Sequence, residues 1–429
     1  MSPTKQTFIT AFALFSLFFG AGNLVLPPFI GYNSGPAWPW VTLGFALSAV
    51  CIPILAIYGH ARLQGTMMDF AKKVSPGFAL IYSLVVYAIA IALPAPRTAS
   101  VTYEMAVEPY FEFSPLLLST IYFVLVLFFV MNRNQILSLI GKYLTPMILI
   151  ILAVIILIGL GGAGEGMRPS IFENNFVAGI LEGYQTFDAI GGVVVGGVIV
   201  ISFQLQGKFD YQQTKSMIGR AGLIAGTGLF LVYAGLIALG AHFNVNVDIQ
   251  ERSELLFYLS NFTLGKVGAA GLSVLVALAC FTTAVGIVAG TADFIKGLAG
   301  GSSRAYVITS IVACLAGVVM GQFDVHYIIE VAVPALMFIY PVTIVLVLLN
   351  VLPDRWASAL VFKCTIATTV LFSVPTFVNS MMYSETFAVL EEQLPLGNEQ
   401  MAWVIPALIT FAIVNVFLMI KKEPVQNQN

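Results

Sequence analysis

Charged residues are scarce in this chain: they make up 9% of its 429 residues, against about 25% in an average soluble domain. Hydrophobic residues make up 59%, which is more than one globular core can bury. The net charge is only −2 and no basic run is present, which excludes nucleic acid as a plausible partner. The composition therefore predicts that lipid is the solvent for much of the surface.

Cysteine and histidine are also rare. The 4 cysteines all lie in apolar stretches without CxxC spacing, and the 3 histidines lie far apart in the sequence. This pattern predicts reduced cysteines in the interior and no metal cluster. There is no intramembrane Ser–His or Cys–His set, which argues against an enzyme and against a resident cofactor. Nothing in the sequence requires a protein partner.

About twelve apolar runs of roughly 17–28 residues follow one another, each long enough to cross a hydrocarbon core of about 30 Å. The runs are continuous and lack the alternation of barrel strands, which predicts helices. The first run has no cleavage site after a short apolar region and is interpreted as a retained span. The predicted limits are 8–30, 37–57, 76–100, 115–131, 137–161, 179–203, 217–241, 267–294, 304–321, 327–350, 357–378 and 401–420.

Basic residues divide unequally between the loops on the two sides of these spans. If the N-terminus is cytoplasmic, the opposite side holds only Arg97, Arg168, Arg252 and Lys266 of the 19 Lys and Arg residues. Cytoplasmic loops carry the Lys and Arg excess in membrane proteins. We therefore predict a multi-pass protein of the cell membrane with both termini in the cytoplasm.

The first span is interrupted at Gly20-Ala21-Gly22-Asn23, and Pro27 follows. Each glycine costs about 1 kcal/mol of helix propensity relative to alanine. Proline lacks an amide hydrogen and disfavours helix at the residue before it. These residues predict a short unwound stretch near 20–23. Its freed backbone groups must line protein or a wet cavity, because they cannot face lipid.

The sixth span offers a partner for this break. It carries Asp188 well inside an apolar run, followed by Gly191-Gly192 and Gly196-Gly197. A carboxylate at the centre of a membrane helix normally faces a partner or a cavity. Unwinding near 187–192 is one interpretation of the glycines, and close helix packing through Gly192-xxx-Gly196 is the other.

Breaks in the first and sixth spans are typical of an inverted five-helix repeat with a binding site at the membrane midplane. The repeats are predicted at residues 1–161 and 162–350, with two further helices and a short cytoplasmic tail at 351–429. Orphan amides at a half-helix start stabilise an anion, and free carbonyls at a half-helix end stabilise a cation. A zwitterionic amino acid needs one of each. Phe18, Phe19, Leu24 and Phe187 are candidates to hold an aliphatic side chain, although their spacing also fits ordinary packing.

Two further features have more than one interpretation. Thr282 and Thr283 in the eighth span either bond back to a carbonyl one turn earlier or supply oxygen ligands to an alkali cation. Arg97 lies about 21 residues beyond Pro76, roughly 31 Å along a helix, which predicts an interfacial position. A pair with Glu104, snorkelling to the interface, or contact with an extracellular gate would each suit it.

With these residues in hand, the whole chain resembles the branched-chain amino acid:cation symporters of the BrnQ type, within the amino acid–polyamine–organocation superfamily. The best-matching segments are Phe18–Leu24 with Pro27-Pro28, Pro96–Ala99, Gly183–Ala189 and Phe281–Ala284. The resemblance implies an all-α integral membrane protein with the leucine-transporter-type 5+5 inverted repeat and sodium-coupled import of leucine, isoleucine and valine by alternating access.

The resemblance also implies positions for the ligands. Na⁺ would be bound by the hydroxyls of Thr282 and Thr283 and by the carbonyls of Ser16, Phe19 and Ala279. Substrate would lie against two segments, Ala21, Gly22 and Asn23 in the first span and Phe187, Asp188, Ala189 and Ile190 in the sixth. A proton-coupled carrier or an exchanger, with Asp188 as the titrating group, remains an alternative. A channel lacks its rings of charge or repeated filter motif and is a distant third with an intramembrane enzyme.

Overall fold

The computed structural model describes residues 3–132, 136–161, 166–206, 210–243, 249, 252–382 and 385–422, and these contain helices and no strand. The helices are α1 (Pro3–Phe18), α2 (Ala21–Ser34), α3 (Trp38–Ala46), α4 (Ile52–Leu63), α5 (Met67–Ala71), α6 (Pro76–Ala92), α7 (Pro94–Thr102), α8 (Pro115–Met131), α9 (Ile136–Gly161), α10 (Asn175–Tyr184), α11 (Asp188–Gln206), α12 (Tyr211–His242), α13 (Arg252–Leu298), α14 (Ser303–Met320), α15 (Val325–Val351), α16 (Ala359–Met382), α17 (Glu385–Glu392) and α18 (Val404–Lys422).

Each of the twelve predicted ranges overlaps at least one of these helices. Within the described residues, 8 helical stretches are long and apolar enough to cross a membrane, and shorter apolar helices include α8. The all-α membrane architecture is therefore confirmed, and the number of crossings stays a prediction. Gly265 (φ 65°) kinks α13 just before the predicted eighth span begins. Two of the basic residues predicted on the cytoplasmic side, Arg133 and Lys208, lie outside the described residues, and so does the predicted tail at 423–429.

Large apolar side chains lie exposed on several helices. Phe128 on α8 is 61% exposed, Ile308 on α14 is 62% exposed and Ile420 on α18 is 69% exposed. An exposed apolar surface on this scale is unusual for a protein whose whole surface faces water. It fits the lipid-facing side chains that the composition predicts.

The chain divides into two compact units. The first contains Met1–Cys51, Val86–Asp188 and Met217–Ala332, and the second contains Ile52–Val85, Ala189–Ser216 and Val333–Asn429. The predicted repeats at 1–161 and 162–350 divide the chain differently and stay a prediction.

In the first unit, glycines bring helix backbones into direct contact. A Cβ atom added at Gly44 on α3 would lie 3.0 Å from the amide nitrogen of Ile180 on α10, and one added at Gly179 would lie 2.8 Å from the amide nitrogen of Phe45. Similarly, a Cβ added at Gly240 on α12 would lie 2.8 Å from the carbonyl carbon of Pro28 on α2. Small residues of this kind let membrane helices approach closely. They fix α2, α3, α10 and α12 around the segments described next.

In the second unit, Arg62 caps the end of α15. Its guanidinium donates to the carbonyls of Asn350 (3.3 Å), Val351 (3.0 Å) and Leu352, and lies 3.2 Å from the Asp354 carboxylate. A cation at a helix C-terminus stabilises the carbonyls left without intrahelical donors. Lys73 donates to Asp354 at 3.0 Å, and this hydrogen bond holds the pKa of the Asp354 carboxyl below its ordinary value.

Candidate functional site

The first helix break is short and has a side-chain cap. Helix α1 ends at Phe18, and the Gly20 amide donates to the carbonyl of Phe18 (3.0 Å) and to Oδ1 of Asn23 (3.2 Å). Helix α2 begins at Ala21, so the unwound part is narrower than the predicted 20–23. Asn23 explains the difference, because its side chain satisfies the amide at the helix start and lets the helix begin earlier.

The amide of Gly20 points away from the position that would continue α1, which leaves the Ser16 carbonyl without the donor of a regular helix. Pro27 and Pro28 lie inside α2 and do not break it. Since they have no N–H group, the carbonyls of Asn23 and Leu24 also lack their usual donors.

The second break covers Gln185 to Phe187, between α10 and α11. Phe187 has φ 63°, a left-handed conformation that costs a non-glycine residue roughly 1–3 kcal/mol. The predicted unwinding near 187–192 is corrected, because Asp188 to Gly192 are helical. Ala189 and Ile190 are buried at the start of α11 and belong to the second unit.

Gly192 and Gly196 serve close packing, which was the other interpretation of them. A Cβ atom added at Gly192 would lie 2.8 Å from the Pro53 carbonyl oxygen, and one added at Gly196 would lie 2.9 Å from Cγ of His60. These contacts need a residue without a side chain, and α11 keeps its helical backbone through both positions.

A buried cluster of polar groups connects the two breaks. Nδ2 of Asn23 donates to Oδ2 of Asp188 (2.5 Å) and lies 2.5 Å from the Tyr233 hydroxyl, which donates to the same Asp188 oxygen at 3.4 Å. The three residues are 2%, 4% and 1% exposed, respectively. Thr186 adds its hydroxyl oxygen as acceptor for the Asp188 amide at 3.2 Å. Asn23 and Asp188, which the sequence predicts to face one site, are thus brought together.

Tyr233 on α12 was not among the predicted site residues. Its ring packs edge-on against Phe45 (centroids 5.4 Å apart) and is stacked near Phe19 (6.4 Å), which in turn stacks on Phe15 (5.2 Å). The only signal in the sequence is a phenol hydroxyl inside the apolar run of α12. The aromatic side chains form an apolar wall beside the Asn23–Asp188 hydrogen bond.

Arg97 is buried within the first unit. It is 3% exposed, its Nη1 atom donates to the Gln185 carbonyl at 2.6 Å, and its guanidinium lies 5.2 Å from the centre of the Phe187 ring. A Cβ atom added at Gly22 would lie 2.9 Å from the guanidinium carbon. The prediction assumed one straight helix from Pro76, whereas α6 ends at Ala92 and α7 begins at Pro94. Arg97 therefore lies beside both breaks, and its interfacial depth in the membrane stays a prediction.

Glu104 contacts α13 and the start of α15, and the predicted pair with Arg97 stays a prediction. It lies in a π-helical turn, Tyr103–Val107, and accepts hydrogen bonds from the Ser253 hydroxyl and from the amide of Val325 at 2.7 Å. The second contact caps the start of α15 with a carboxylate, a favourable arrangement at a helix N-terminus. A gate role for either residue stays a prediction.

An ion pair lies on α10, one turn before the second break. Arg252 Nε lies 3.1 Å from Oε1 of Glu182, and the other carboxylate oxygen accepts from Gln185 Nε2 at 3.0 Å. Arg252 also lies over the Phe29 ring of α2, 4.9 Å from its centre. These contacts tie α2, α10 and α13 together, and the sequence pattern alone did not single them out.

Thr282 and Thr283 both donate to the Ala279 carbonyl, at 2.9 and 3.0 Å. The back-bonded interpretation therefore describes their hydrogen bonds. Each hydroxyl still keeps lone pairs that can bind a cation. A Cβ atom added at Gly20 would lie 3.6 Å from the Thr283 hydroxyl, so this oxygen lies beside the first break. Among the described residues, no cluster of three or more His, Cys, Asp or Glu could hold a metal ion.

Residues 3–422 match the model of a family described as branched-chain amino acid transport protein. The chain belongs to this family. It is 31% identical to the branched-chain amino acid permease BrnQ of Corynebacterium glutamicum, over 95% of this chain and 94% of the relative. It is 32% identical to the branched-chain amino acid transport system 2 carrier protein of Pseudomonas aeruginosa, over 94% of each chain. These relatives are named as permeases and carriers and not as enzymes.

Solved structures of other transporters share the fold of this family member. Its structure is similar to the inward-facing conformation of Mhp1, with a TM-score of 0.61 at 12% identity, over 98% of this chain and 92% of that one. A manganese transporter of Eremococcus coleocola gives a TM-score of 0.61 at 13% identity, over 96% of this chain and 95% of that one. The leucine-transporter-type fold that the sequence implies is confirmed.

Proposed function

We propose that this transport protein imports leucine, isoleucine and valine together with Na⁺ by alternating access across the cell membrane, with both termini in the cytoplasm. The observation that carries the proposal is the buried Asn23–Asp188 hydrogen bond between two helix breaks. Discontinuous helices that meet in this way are where carriers of this fold bind substrate and ions. The names of the relatives support branched-chain amino acids as the substrate class.

The amino acid backbone would bind between the two breaks. The amides at the start of α2, from Ala21 to Asn23, would face its carboxylate, because a helix N-terminus favours negative charge. The carbonyl end of α10 and the Asp188 carboxylate would face its ammonium group. The apolar wall of Phe19, Phe45 and Tyr233 would hold an aliphatic side chain. Phe187 completes the proposed set within the first unit, and a substrate role for Ala189 and Ile190 stays a prediction.

Sodium would bind next to the first break, as a co-transported ion. The proposed ligands are the hydroxyls of Thr282 and Thr283 and the carbonyls of Ser16, Phe19 and Ala279. Hard cations prefer oxygen ligands, and these supply them without a fixed negative charge. The position of Thr283 beside Gly20 and the Ser16 carbonyl without its regular donor support this set.

The first test is leucine uptake into proteoliposomes under imposed ion gradients. We expect uptake to follow an inward Na⁺ gradient and to be insensitive to a pH gradient alone. Asp188 is a buried carboxylate, and burial favours the protonated form of a carboxyl group, which makes proton coupling the second candidate. Uptake that ignores Na⁺ and follows the pH gradient would establish that second candidate instead.

The combined change Thr282→Ala and Thr283→Ala tests the cation site. Loss of two oxygen ligands is expected to raise the Na⁺ concentration for half-maximal uptake by at least about 10-fold. Thr291→Ala in the same helix is the matched control, because the Thr291 hydroxyl also bonds back to a carbonyl one turn earlier, that of Ile287 at 2.8 Å. An equal Na⁺ requirement in wild type, control and double variant would place the cation elsewhere.

A further inference from the structure

An arginine and an aspartate lie buried beside the first turn of α2. Arg97 is 3% exposed and Asp188 is 4% exposed. A buried charge is costly unless another charge or several hydrogen bonds compensate it. Arg97 lies next to Gly22 and Asp188 lies next to Asn23, so both groups lie beside the same turn of α2.

The guanidinium of Arg97 adds a positive charge at the N-terminus of α2. It lies against Gly22 in the first turn of α2, where the helix dipole and orphan amides also attract an anion. The Gln185 carbonyl and the face of the Phe187 ring hold its orientation. Phe187 adopts its left-handed conformation at this contact, so the ring is held there at a cost in backbone energy.

Building on the function proposed above, we propose that Arg97 binds the carboxylate of the transported amino acid while Asp188 binds its ammonium group. The planar guanidinium presents parallel N–H donors that match a carboxylate, and the amides of α2 add to the same end. Asp188 receives Nδ2 of Asn23 on one oxygen and has further lone pairs for an ammonium group.

This division of charge explains why a zwitterion suits the site. A zwitterion between Arg97 and Asp188 gives each buried charge a partner of its own. An analogue without the carboxylate leaves Arg97 without its anion and adds a second positive charge to the site. The arrangement therefore selects amino acids against simple amines of the same shape, independently of the aliphatic side chain.

The test is equilibrium binding of leucine and of leucinamide to the purified full-length protein. Leucinamide keeps the ammonium group and the side chain but has no carboxylate. In Arg97→Gln, leucine affinity is expected to fall about 10- to 100-fold while leucinamide affinity changes little, so that the preference for leucine collapses. Arg97→Lys should restore part of the preference, because it keeps the charge but not the paired donors.

Arg252→Gln is the matched control, because Arg252 is also largely buried, paired with a carboxylate and stacked on a phenylalanine. It should leave the ratio of leucine to leucinamide affinity at the wild-type value. If Arg97→Gln does not fold, Gly22→Ala provides the same readout, since the added Cβ displaces the guanidinium and should lower the ratio.

The outcomes separate this inference from the proposed function. A wild-type protein that binds none of leucine, isoleucine and valine would overturn both. A wild-type protein that binds leucine, with an unchanged preference over leucinamide in Arg97→Gln or Gly22→Ala, would overturn the role of Arg97 alone.

Discussion

Asn23→Leu is expected to abolish leucine binding and uptake while the protein remains folded. The amide side chain supplies a donor to Asp188 at 2.5 Å and an acceptor for the Gly20 amide at 3.2 Å. Leucine of similar size removes these contacts and the one with the Tyr233 hydroxyl, and it leaves a buried carboxylate with fewer partners. Loss of a hydrogen bond to a buried charge costs roughly 1.5–3 kcal/mol, and loss of a helix cap costs about 1 kcal/mol more. Affinity should therefore fall by at least about 100-fold.

The measurement is radiolabelled leucine binding in detergent and uptake in proteoliposomes, with monodispersity as the test of folding. Asn33→Leu is the control, because Asn33 lies on the same helix and its side chain donates to the Phe29 carbonyl at 3.1 Å. Wild-type affinity in Asn23→Leu would place the substrate away from the first break. A loss of binding in both variants would indicate a general effect on α2.

Gly179→Ala is expected to destabilise the protein strongly. The added Cβ would lie 2.8 Å from the Phe45 amide nitrogen and closer still to the Val41 carbonyl oxygen. These are backbone atoms, so α3 and α10 must move apart, and no rotamer change can relieve the contact. Overpacking of this kind costs about 3 kcal/mol. The melting temperature in detergent and the yield of monodisperse protein should both fall.

Gly271→Ala is the comparison, because nothing lies within 4 Å of a Cβ added there. In a helical, exposed position this change should stabilise the protein by roughly 0.5–1 kcal/mol. If both variants melt at the same temperature, the close approach of α3 and α10 is not a feature of the folded protein in detergent.

Long apolar runs are the part of this structure that the sequence predicts well. Each predicted range falls on a helix because only a continuous apolar helix satisfies its backbone in lipid. The pairing of Asn23 with Asp188 was also predictable, since each is a strongly polar side chain in an apolar run. The loop charges bear on orientation, which stays a prediction.

The extent of each break was not predictable from glycine content. Gly20 lies at a break, whereas Gly192 lies in regular helix. A Cβ atom added at Gly192 would lie 2.8 Å from the Pro53 carbonyl oxygen, whereas one added at Gly20 would have its nearest contact at 3.6 Å. The sequence shows that a position is glycine, but it does not show whether the glycine lies at a helix break or at a close contact between helices. Asn23 shortened the first break by capping it, and Phe187 entered the left-handed region without a glycine.

Arg97 and Tyr233 show a second limit. Helical rise gives a depth only while the helix is continuous, and the interruption between Ala92 and Pro94 ends that reasoning for Arg97. Tyr233 is a common type of residue in a membrane helix, and its contact with Asn23 depends on how α12 is rotated. Both positions depend on tertiary structure, which a single sequence does not specify directly.

The contact between Gly22 and Arg97 also constrains how this protein can evolve. A side chain at position 22 and a guanidinium at position 97 compete for the same volume, with 2.9 Å between a Cβ atom and the guanidinium carbon. A lineage that loses the arginine is released from the requirement for glycine, and one that gains a side chain at position 22 must first retract the arginine. The two positions, 75 residues apart, are therefore free to vary only together.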